Sequence, residues 1–304
     1  MSRDEQVGKV TLTTPSGRSS VEVLQYGATV ISWKYDGAEQ LFLSRQSPLD
    51  GSAAIRGGIP IIFPVFGSPS EYEDHAGLEK LPKHGFARTA EWKVIEGRVD
   101  KEVTASCVLE LNSVDYKEIR DAYQWPVHLE YHIRLSDSPA SLECSLKVKH
   151  LAGSSTMPAR FHVLLHNYIA VGDATQAGVS GLKGVTYVDK NASKARVAES
   201  SDPILLHGQA SDRVYQGGAP DVALLYNDGS GRQLVVSRSE TLQDTTLWNP
   251  AEAAAKGLKD LHEGGWREYI CIEPGSVAAL NELPAGQEWV GTQQLRIVEG
   301  KSKV

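Results

Sequence analysis

Proton transfer near neutral pH needs side chains that can hold and release a proton there, and this chain offers them in two places. The first is Arg160-Phe161-His162-Val163-Leu164-Leu165-His166-Asn167-Tyr168-Ile169. Period-two alternation sets His162, Leu164 and His166 on one face of a strand and Val163 and Leu165 on the other. With an ordinary pKa near ~6.5, a histidine in that setting reads either as a satisfied core residue or as an acid–base group. The second place is Glu273, in Tyr269-Ile270-Cys271-Ile272-Glu273-Pro274-Gly275. It closes a β-branched run just before Pro-Gly, where a strand is expected to meet a turn. There it reads either as a solvated strand-end carboxylate or, if buried, as a general base with a raised pKa. Asp212, in Ser211-Asp212-Arg213-Val214-Tyr215, is a third candidate; its plainer reading is a turn aspartate paired with Arg213.

Cations cluster elsewhere. Arg56-Gly57-Gly58-Ile59-Pro60 runs into Ile61-Ile62-Phe63-Pro64-Val65-Phe66-Gly67, and Leu81-Pro82-Lys83-His84-Gly85-Phe86-Ala87-Arg88 follows a polar stretch. Glycine permits close backbone approach, proline stiffens a turn and an aromatic ring offers an apolar face. Either motif alone reads as a tight turn with solvated charges. Together, two arginines and a lysine beside such surfaces favour an anionic, hydroxyl-rich ligand.

Other chemistries lack their residues. There is no GxGxxG before a helix, no GxxxxGK[ST] phosphate loop, no GxSxG elbow and no HExxH. His128 and His132, four apart in a strand-like segment, are a weak metal hint that fits a surface or core pair better. Trp248-Asn249-Pro250 could supply a sugar-stacking tryptophan, but a core anchor is the favoured reading. No metal and no cofactor are expected.

The elements that must position these groups are mostly strands. Alternating or β-branched runs predict strands at residues 20–26, 29–34, 91–95, 103–111, 129–135, 141–150, 160–170, 233–238, 269–273 and 292–298. Gly, Pro, Asp and Ser punctuate them, the pattern of an all-β sandwich or barrel. Asn249-Pro250 before Ala251-Glu252-Ala253-Ala254-Ala255-Lys256 predicts one short helix with Pro at its first position, ending near Leu261. The polar stretch 68–80 is expected to be a flexible surface loop. With 304 residues, 41% hydrophobic and 23% charged, the chain can bury a large core as a globular protein, read as one domain over 1–304.

Charge narrows the partners. There are 31 basic against 38 acidic residues, a net charge of −7, which disfavours nucleic acid and anionic membrane. An anionic ligand must then be held by a local cation cluster against the overall field. Cys107, Cys144 and Cys271 have no CxxC spacing and read as buried thiols in a reducing compartment. Residues 1–6 lack the apolar run of a signal peptide, and no stretch has the roughly 18 apolar residues of a membrane span. A cytoplasmic address is expected.

The ordered series Arg-Gly-Gly-Ile-Pro, Phe-Pro-Val-Phe-Gly, Leu-Pro-Lys-His-Gly-Phe-Ala-Arg, Leu-His-Asn-Tyr, Trp-Asn-Pro and Cys-Ile-Glu-Pro-Gly resembles the hexose-6-phosphate mutarotases (glucose-6-phosphate 1-epimerases), a branch of the aldose 1-epimerase family. The resemblance implies a galactose-mutarotase-like β-supersandwich with a few short helices and a site on a concave sheet face. It implies interconversion of the α and β anomers of a hexose 6-phosphate without cofactor, by a monomer. By motif position, His166 and Glu273 match the catalytic pair, Arg56 and Arg88 the substrate-binding arginines, and Asp212 a ligand-binding aspartate. Lys83 stands where relatives typically carry glutamine, and as a lysine could add charge for phosphate. Asn167 and Ile169 stand where threonine and phenylalanine are expected. His84 would either bond a sugar hydroxyl or fix its loop.

Three other readings stay open. One is a non-catalytic sugar-phosphate-binding module on the same fold, which would have no need of both His166 and Glu273. Another is an epimerase for unphosphorylated aldose, which Arg56, Arg88 and Lys83 count against. An oligosaccharide lyase or hydrolase on a related supersandwich comes last, because its extra helical domain is missing.

Overall fold

The structure, a computed structural model, describes residues 8–99, 104–152, 157–192 and 195–300. The expected strand start at Val103 and the residues 1–6 read for a signal peptide lie outside them. The chain opens with β1 (Lys9–Thr13), β2 (Ser19–Leu24), β3 (Thr29–Tyr35) and β4 (Ala38–Glu39), a small sheet in that order. Next come β5 (Ile61–Ile62), β6 (Lys93–Val99), β7 (Thr104–Asn112), helix α1 (Lys117–Ala122), β8 (Val127–Asp137) and β9 (Ala140–His150). The middle holds β10 (Ala159–Leu165), β11 (Tyr168–Ala170), β12 (Gly178–Ser180), β13 (Thr186–Asp189), β14 (Ala195–Ala198), β15 (Ile204–Leu205) and β16 (Ser211–Gln216). Last come β17 (Asp221–Leu225), β18 (Gln233–Arg238), β19 (Asp244–Asn249), helix α2 (Ala251–Ala255), β20 (Tyr269–Leu283) and β21 (Glu288–Val298).

Two large sheets follow from their pairing. One runs β14-β13-β16-β19-β20-β10-β5, with β11 pairing β20 beyond the end of β10; the other runs β15-β12-β17-β18-β21-β9-β8-β7-β6. Their mutually facing sides make the main core. Phe161, Val163, Leu165, Ile270 and Ile272 come to it from the first sheet, and Leu142, Leu146, Leu295 and Ile297 from the second. Each such aliphatic side chain contributes about 1.5–3 kcal/mol by leaving water. The all-β expectation holds, and most expected strands recur within a residue or two of their predicted ends. None of the described helices is long and apolar enough to cross a membrane.

A polar bond ties the two sheets at one point in this apolar core. Asn167, fully buried after β10, exchanges two hydrogen bonds with Gln293 of β21, at 2.8 and 2.7 Å. Its amide also donates to the Ile272 carbonyl at 2.9 Å.

Three local expectations need correction. β20 does not stop at Glu273 but runs on through Pro274-Gly275 to Leu283. Gly275 makes this possible: a Cβ there would stand 2.8 Å from the Val163 carbonyl oxygen, so only glycine lets β20 lie this close to β10. Helix α2 ends at Ala255, with Pro250 as its N-cap residue and the Asn249 side chain accepting the Ala251 amide at 2.9 Å. Gly257 follows, and the chain turns to bury Leu261 against Phe42, Tyr168 and Trp266. The stretch 68–80 is anchored: Ser68 and Glu71 close a capping box on a 3₁₀ turn, the Tyr72 hydroxyl donates to the Phe66 carbonyl, and Leu78 is in the core.

Candidate active site

Alternation along β20 divides its side chains. Ile270 and Ile272 enter the core between the sheets, while Tyr269, Cys271 and Glu273 face the other side. The pairing register then sets neighbours. Leu164 lies opposite Gly275, and Tyr168 lies opposite Cys271. Between those two pairs, His166 falls opposite Glu273. Its Nδ1 is 3.3 Å from Glu273 Oε1, an ion-pair distance without hydrogen-bond alignment. On the far side, β19 places Thr246 opposite Glu273 and Trp248 opposite Cys271, and β16 places Asp212 opposite Trp248. A row of side chains thus crosses four strands.

Two loops close over this row. Pro60 accepts the His166 amide and Gly58 the Tyr168 amide, so Arg56-Gly57-Gly58-Ile59-Pro60 runs alongside the catalytic candidates. The glycines of this motif press on neighbouring backbone, not on a ligand: a Cβ on Gly58 would lie 2.0 Å from the Val30 carbonyl. Arg56 is fixed from two directions. Its Nε and Nη2 meet Asp260 at 3.2 and 3.1 Å, and its Nη1 donates to the Tyr168 hydroxyl at 2.9 Å. The second loop is held by a reciprocal clasp, the His84 amide donating to the Gly67 carbonyl and the Gly67 amide to His84 Nδ1. Arg88 Nη2 donates to the Lys83 carbonyl at 2.9 Å.

All seven residues singled out from the sequence, Arg56, Lys83, His84, Arg88, His166, Asp212 and Glu273, line one cavity of about 200 Å³. That is below the roughly 300 Å³ at which drug-sized pockets begin, a size that suits a single sugar ring. Buried polar atoms without a protein partner gather there: both Glu273 oxygens, His166 Nδ1, Arg88 Nε and Thr246 Oγ1. Such atoms are rare in folded proteins and mark a place where a polar ligand completes the bonding. Larger hollows on the surface, such as the 550 Å³ one beside α2, lack this convergence.

Of the remaining sequence candidates, the three histidines fall elsewhere. His162 is 1% exposed, accepts from the Phe66 amide and packs on Tyr72, so it is a satisfied core histidine. His128 and His132 sit on β8 of the other large sheet, paired with Glu110 and Glu130. Trp248 overturns the core-anchor reading: it lines the cavity with its ring edge-on to His166. Tyr168 was not anticipated, though it lies two residues from His166 and therefore on the same face; its ring stacks on His166 at 4.6 Å and 6°. Lys190 and Asp260 carried no local signal, because their partners, Glu71 and Arg56, lie more than a hundred residues away in sequence.

Burial, and charge after it, shifts both members of the pair. Burial, then Arg56 and Arg88, hold His166 well below 6.5, so the imidazole is neutral. Burial, with Asp212 adding and Lys190 opposing, raises Glu273 well above 4.5. Arg56 keeps its charge despite burial because Tyr168 and Asp260 face it. Burial and then Arg56 pull Arg88 down, and Tyr168 opposes them. His166, Cys271 and Glu273 also bring three donor atoms within 4.8 Å of one another, spacing that suits a metal ion. Two of the three are the pair that the register sets face to face, and burial pushes the Cys271 thiol far above its usual range.

Comparison with known proteins places this geometry. A family model described as aldose 1-epimerase matches residues 8–296. The chain belongs to the aldose 1-epimerase family. A protein from Cenchrus ciliaris, provisionally named a glucose-6-phosphate 1-epimerase, is 30% identical over 297 residues, covering 94% of this chain and 86% of that one. An Escherichia coli K12 protein of the same provisional name is 29% identical over 275 residues, covering 90% and 85%. Among solved structures, a provisionally assigned mutarotase from Salmonella typhimurium superposes with a TM-score of 0.83 at 23% identity, over 97% of this chain and 92% of that one. A Synechocystis protein gives 0.80 at 20% identity, over 97% and 96%. These neighbours show the galactose-mutarotase-like fold. Membership of this family implies a sugar substrate.

Proposed function

We propose that this aldose 1-epimerase family member is a hexose-6-phosphate mutarotase, interconverting the α and β anomers of glucose 6-phosphate or a close relative. One observation carries the reading: His166 and Glu273, opposed at 3.3 Å, share a monosaccharide-sized cavity with Arg56 and Arg88. The relatives provisionally named glucose-6-phosphate 1-epimerases support it.

The chemistry needs one acid and one base. Glu273 takes the proton of the anomeric hydroxyl while His166 gives one to the ring oxygen. The bond from the anomeric carbon to the ring oxygen breaks and a carbonyl forms. Rotation about the adjoining carbon–carbon bond turns the other carbonyl face to the ring hydroxyl. Closure returns both protons with the roles exchanged. Each group is expected to contribute about 10²–10⁴-fold. Arg56 and Arg88 bind the phosphate through charge-assisted hydrogen bonds and hold the ring against the pair. Lys83 at the rim adds positive charge, Asp212 accepts from sugar hydroxyls, and Trp248 offers an apolar face to the ring.

His84 has its Nδ1 occupied by the Gly67 amide, and burial, with Arg88 next, keeps the ring neutral. Its other nitrogen therefore carries the proton and can donate to a hydroxyl.

The test follows freshly dissolved α-glucose 6-phosphate to its anomeric equilibrium by polarimetry or NMR exchange, with α-glucose in parallel and spontaneous rates subtracted. Faster equilibration of the ester is expected. Glu273→Gln or His166→Ala should remove it while the β-type circular dichroism stays unchanged. Saturable binding of the ester with no acceleration would instead indicate a binding module.

A further inference from the structure

Cys271 is a buried nucleophile that the proposed reaction leaves unused. It stands two residues before Glu273 on β20, on the same face, packed among Phe42, Tyr168, Leu261, Trp266 and Tyr269. His166 comes to Glu273 from the adjoining segment between β10 and β11. One strand thus supplies a thiol and a carboxyl, and its neighbour an imidazole. Their donor atoms, a sulfur, an oxygen and a nitrogen, all fall within 4.8 Å of one another. Sugar chemistry accounts for the imidazole and the carboxyl but not for the thiol beside them.

We propose that His166, Cys271 and Glu273 form a zinc site, and that Zn²⁺ held there reversibly shuts off the acid–base pair. The ion is an inhibitor of the reaction, not its cofactor. The shut-off, though not the site itself, rests on the mutarotase reading above.

The spacing fits three ligands on one ion. With Zn–N and Zn–O bonds of about 2.0–2.2 Å in a tetrahedron, the two donors stand about 3.3–3.5 Å apart. His166 Nδ1 and Glu273 Oε1 are already 3.3 Å apart. A Zn–S bond of about 2.3 Å sets the sulfur about 3.5 Å from the other two, so it closes by no more than about 1.3 Å. Ligation breaks no internal bond at the pair, since His166 Nδ1 and both Glu273 oxygens are buried without a partner. Glu273 lines the cavity although it is 1% exposed. The His166 ring is fixed beforehand by its stacking on Tyr168 and by the edge of Trp248.

Donor type selects the metal. Thiolate, imidazole and carboxylate together suit Zn²⁺, whereas Mg²⁺ and Ca²⁺ take oxygen ligands. Charge balances as well. The thiolate and carboxylate offset both charges of the ion, so Arg56, Arg88 and Lys83 face a neutral complex. The thiol proton, and that of Glu273 where it is protonated, passes to solvent as the bonds form. Three protein ligands leave a fourth tetrahedral position for water or substrate. With a Glu273 oxygen and the imidazole lone pair on the ion, the pair loses its base and ring opening stops.

The experiment adds Co²⁺ or Zn²⁺ to the intact, reduced, metal-free protein in buffer without phosphate or added thiol. A tetrahedral Co²⁺ site gives strong visible bands, and a thiolate ligand adds a sulfur-to-cobalt charge-transfer band in the near ultraviolet. One equivalent of Co²⁺ should survive desalting, show both features and be displaced by Zn²⁺. Cys271→Ser should lose the charge-transfer band; Cys271→Ala replaces it if the serine variant does not fold. Stoichiometric Zn²⁺ should lower turnover of α-glucose 6-phosphate about 10²-fold or more, and EDTA should restore it. Bound cobalt without the sulfur band, a band that persists in the Cys271 variant, or no metal retained through desalting overturns the site. Full turnover by the zinc-loaded protein overturns the shut-off. If the metal-free protein does not turn over the ester while the cobalt spectrum appears, the mutarotase reading falls and the site stands.

Discussion

At the scale of a residue, the arrangement turns on Glu273, a carboxyl 1% exposed with no cation in contact and neither oxygen bonded by the protein. Burial, with Asp212 adding, holds its proton more tightly than 4.5 in the folded chain. The folded state therefore binds a proton that the unfolded state releases. The stability linked to that proton is fully present below pH 4.5 and is lost as pH rises through the raised folded value. Glu273→Gln keeps the shape and removes the titration. Its melting temperature should exceed that of the parent, by a margin worth about 1–3 kcal/mol that widens between about pH 5 and pH 8. Melts at several pH values check this, and a margin that stays flat with pH would sink it. His166, Glu273, Arg56 and Arg88 were legible in the sequence because each sits in a short motif with glycine, proline or alternating apolar neighbours. Trp248 was misread, since a tryptophan before a helix looks the same whether it faces a core or a cavity. Asp260 and Lys190 could not be read at all; only the folded chain gives them partners.

At the scale of an element, the spacing of the catalytic candidates depends on how β20 lies against β10. That contact is closest at Gly275, where a Cβ would meet the Val163 carbonyl oxygen at 2.8 Å and Leu164 Cβ at 3.0 Å. Gly275→Ala should push the strands apart and cost about 1–3 kcal/mol. Because Glu273 is two residues away on the same strand, turnover should fall as well, in a fully folded sample below the melting transition. Unchanged turnover would show that the spacing is set elsewhere. Sequence patterns located β20 but not its length, because Pro-Gly ordinarily ends a strand. Here the pair stays in the sheet because Pro274 pairs with Thr245 and Gly275 tolerates the close approach. The helix was overextended for the opposite reason. Alanine propensity favoured continuing, but Gly257 and the burial of Leu261 drew the chain away.

At the scale of the whole molecule, one continuous core joins the small N-terminal sheet to both large ones: Val21 and Trp33 share it with Ile272 and Leu295. We infer that the chain behaves as one domain. Thermal unfolding should show a single transition with matching calorimetric and van't Hoff enthalpies; two resolved transitions would divide it. The overall class was legible because alternation and turn residues are local properties. Which strands became neighbours was not, since the pairing of β10 with β20 depends on contacts across more than a hundred residues.

The paired amides of Asn167 and Gln293 bear on what can be transplanted. The residues lining the cavity belong to the sheet of β10, β20, β19 and β16 or to loops beside it, which suggests that this sheet alone could be grafted onto another scaffold. Yet the residue directly after His166 is bonded to β21 of the opposite sheet. A graft of that sheet alone would carry His166 and Glu273 and still lack the anchor at Asn167, next to His166. The smallest portable unit of this site is therefore the sheet together with the strand behind it.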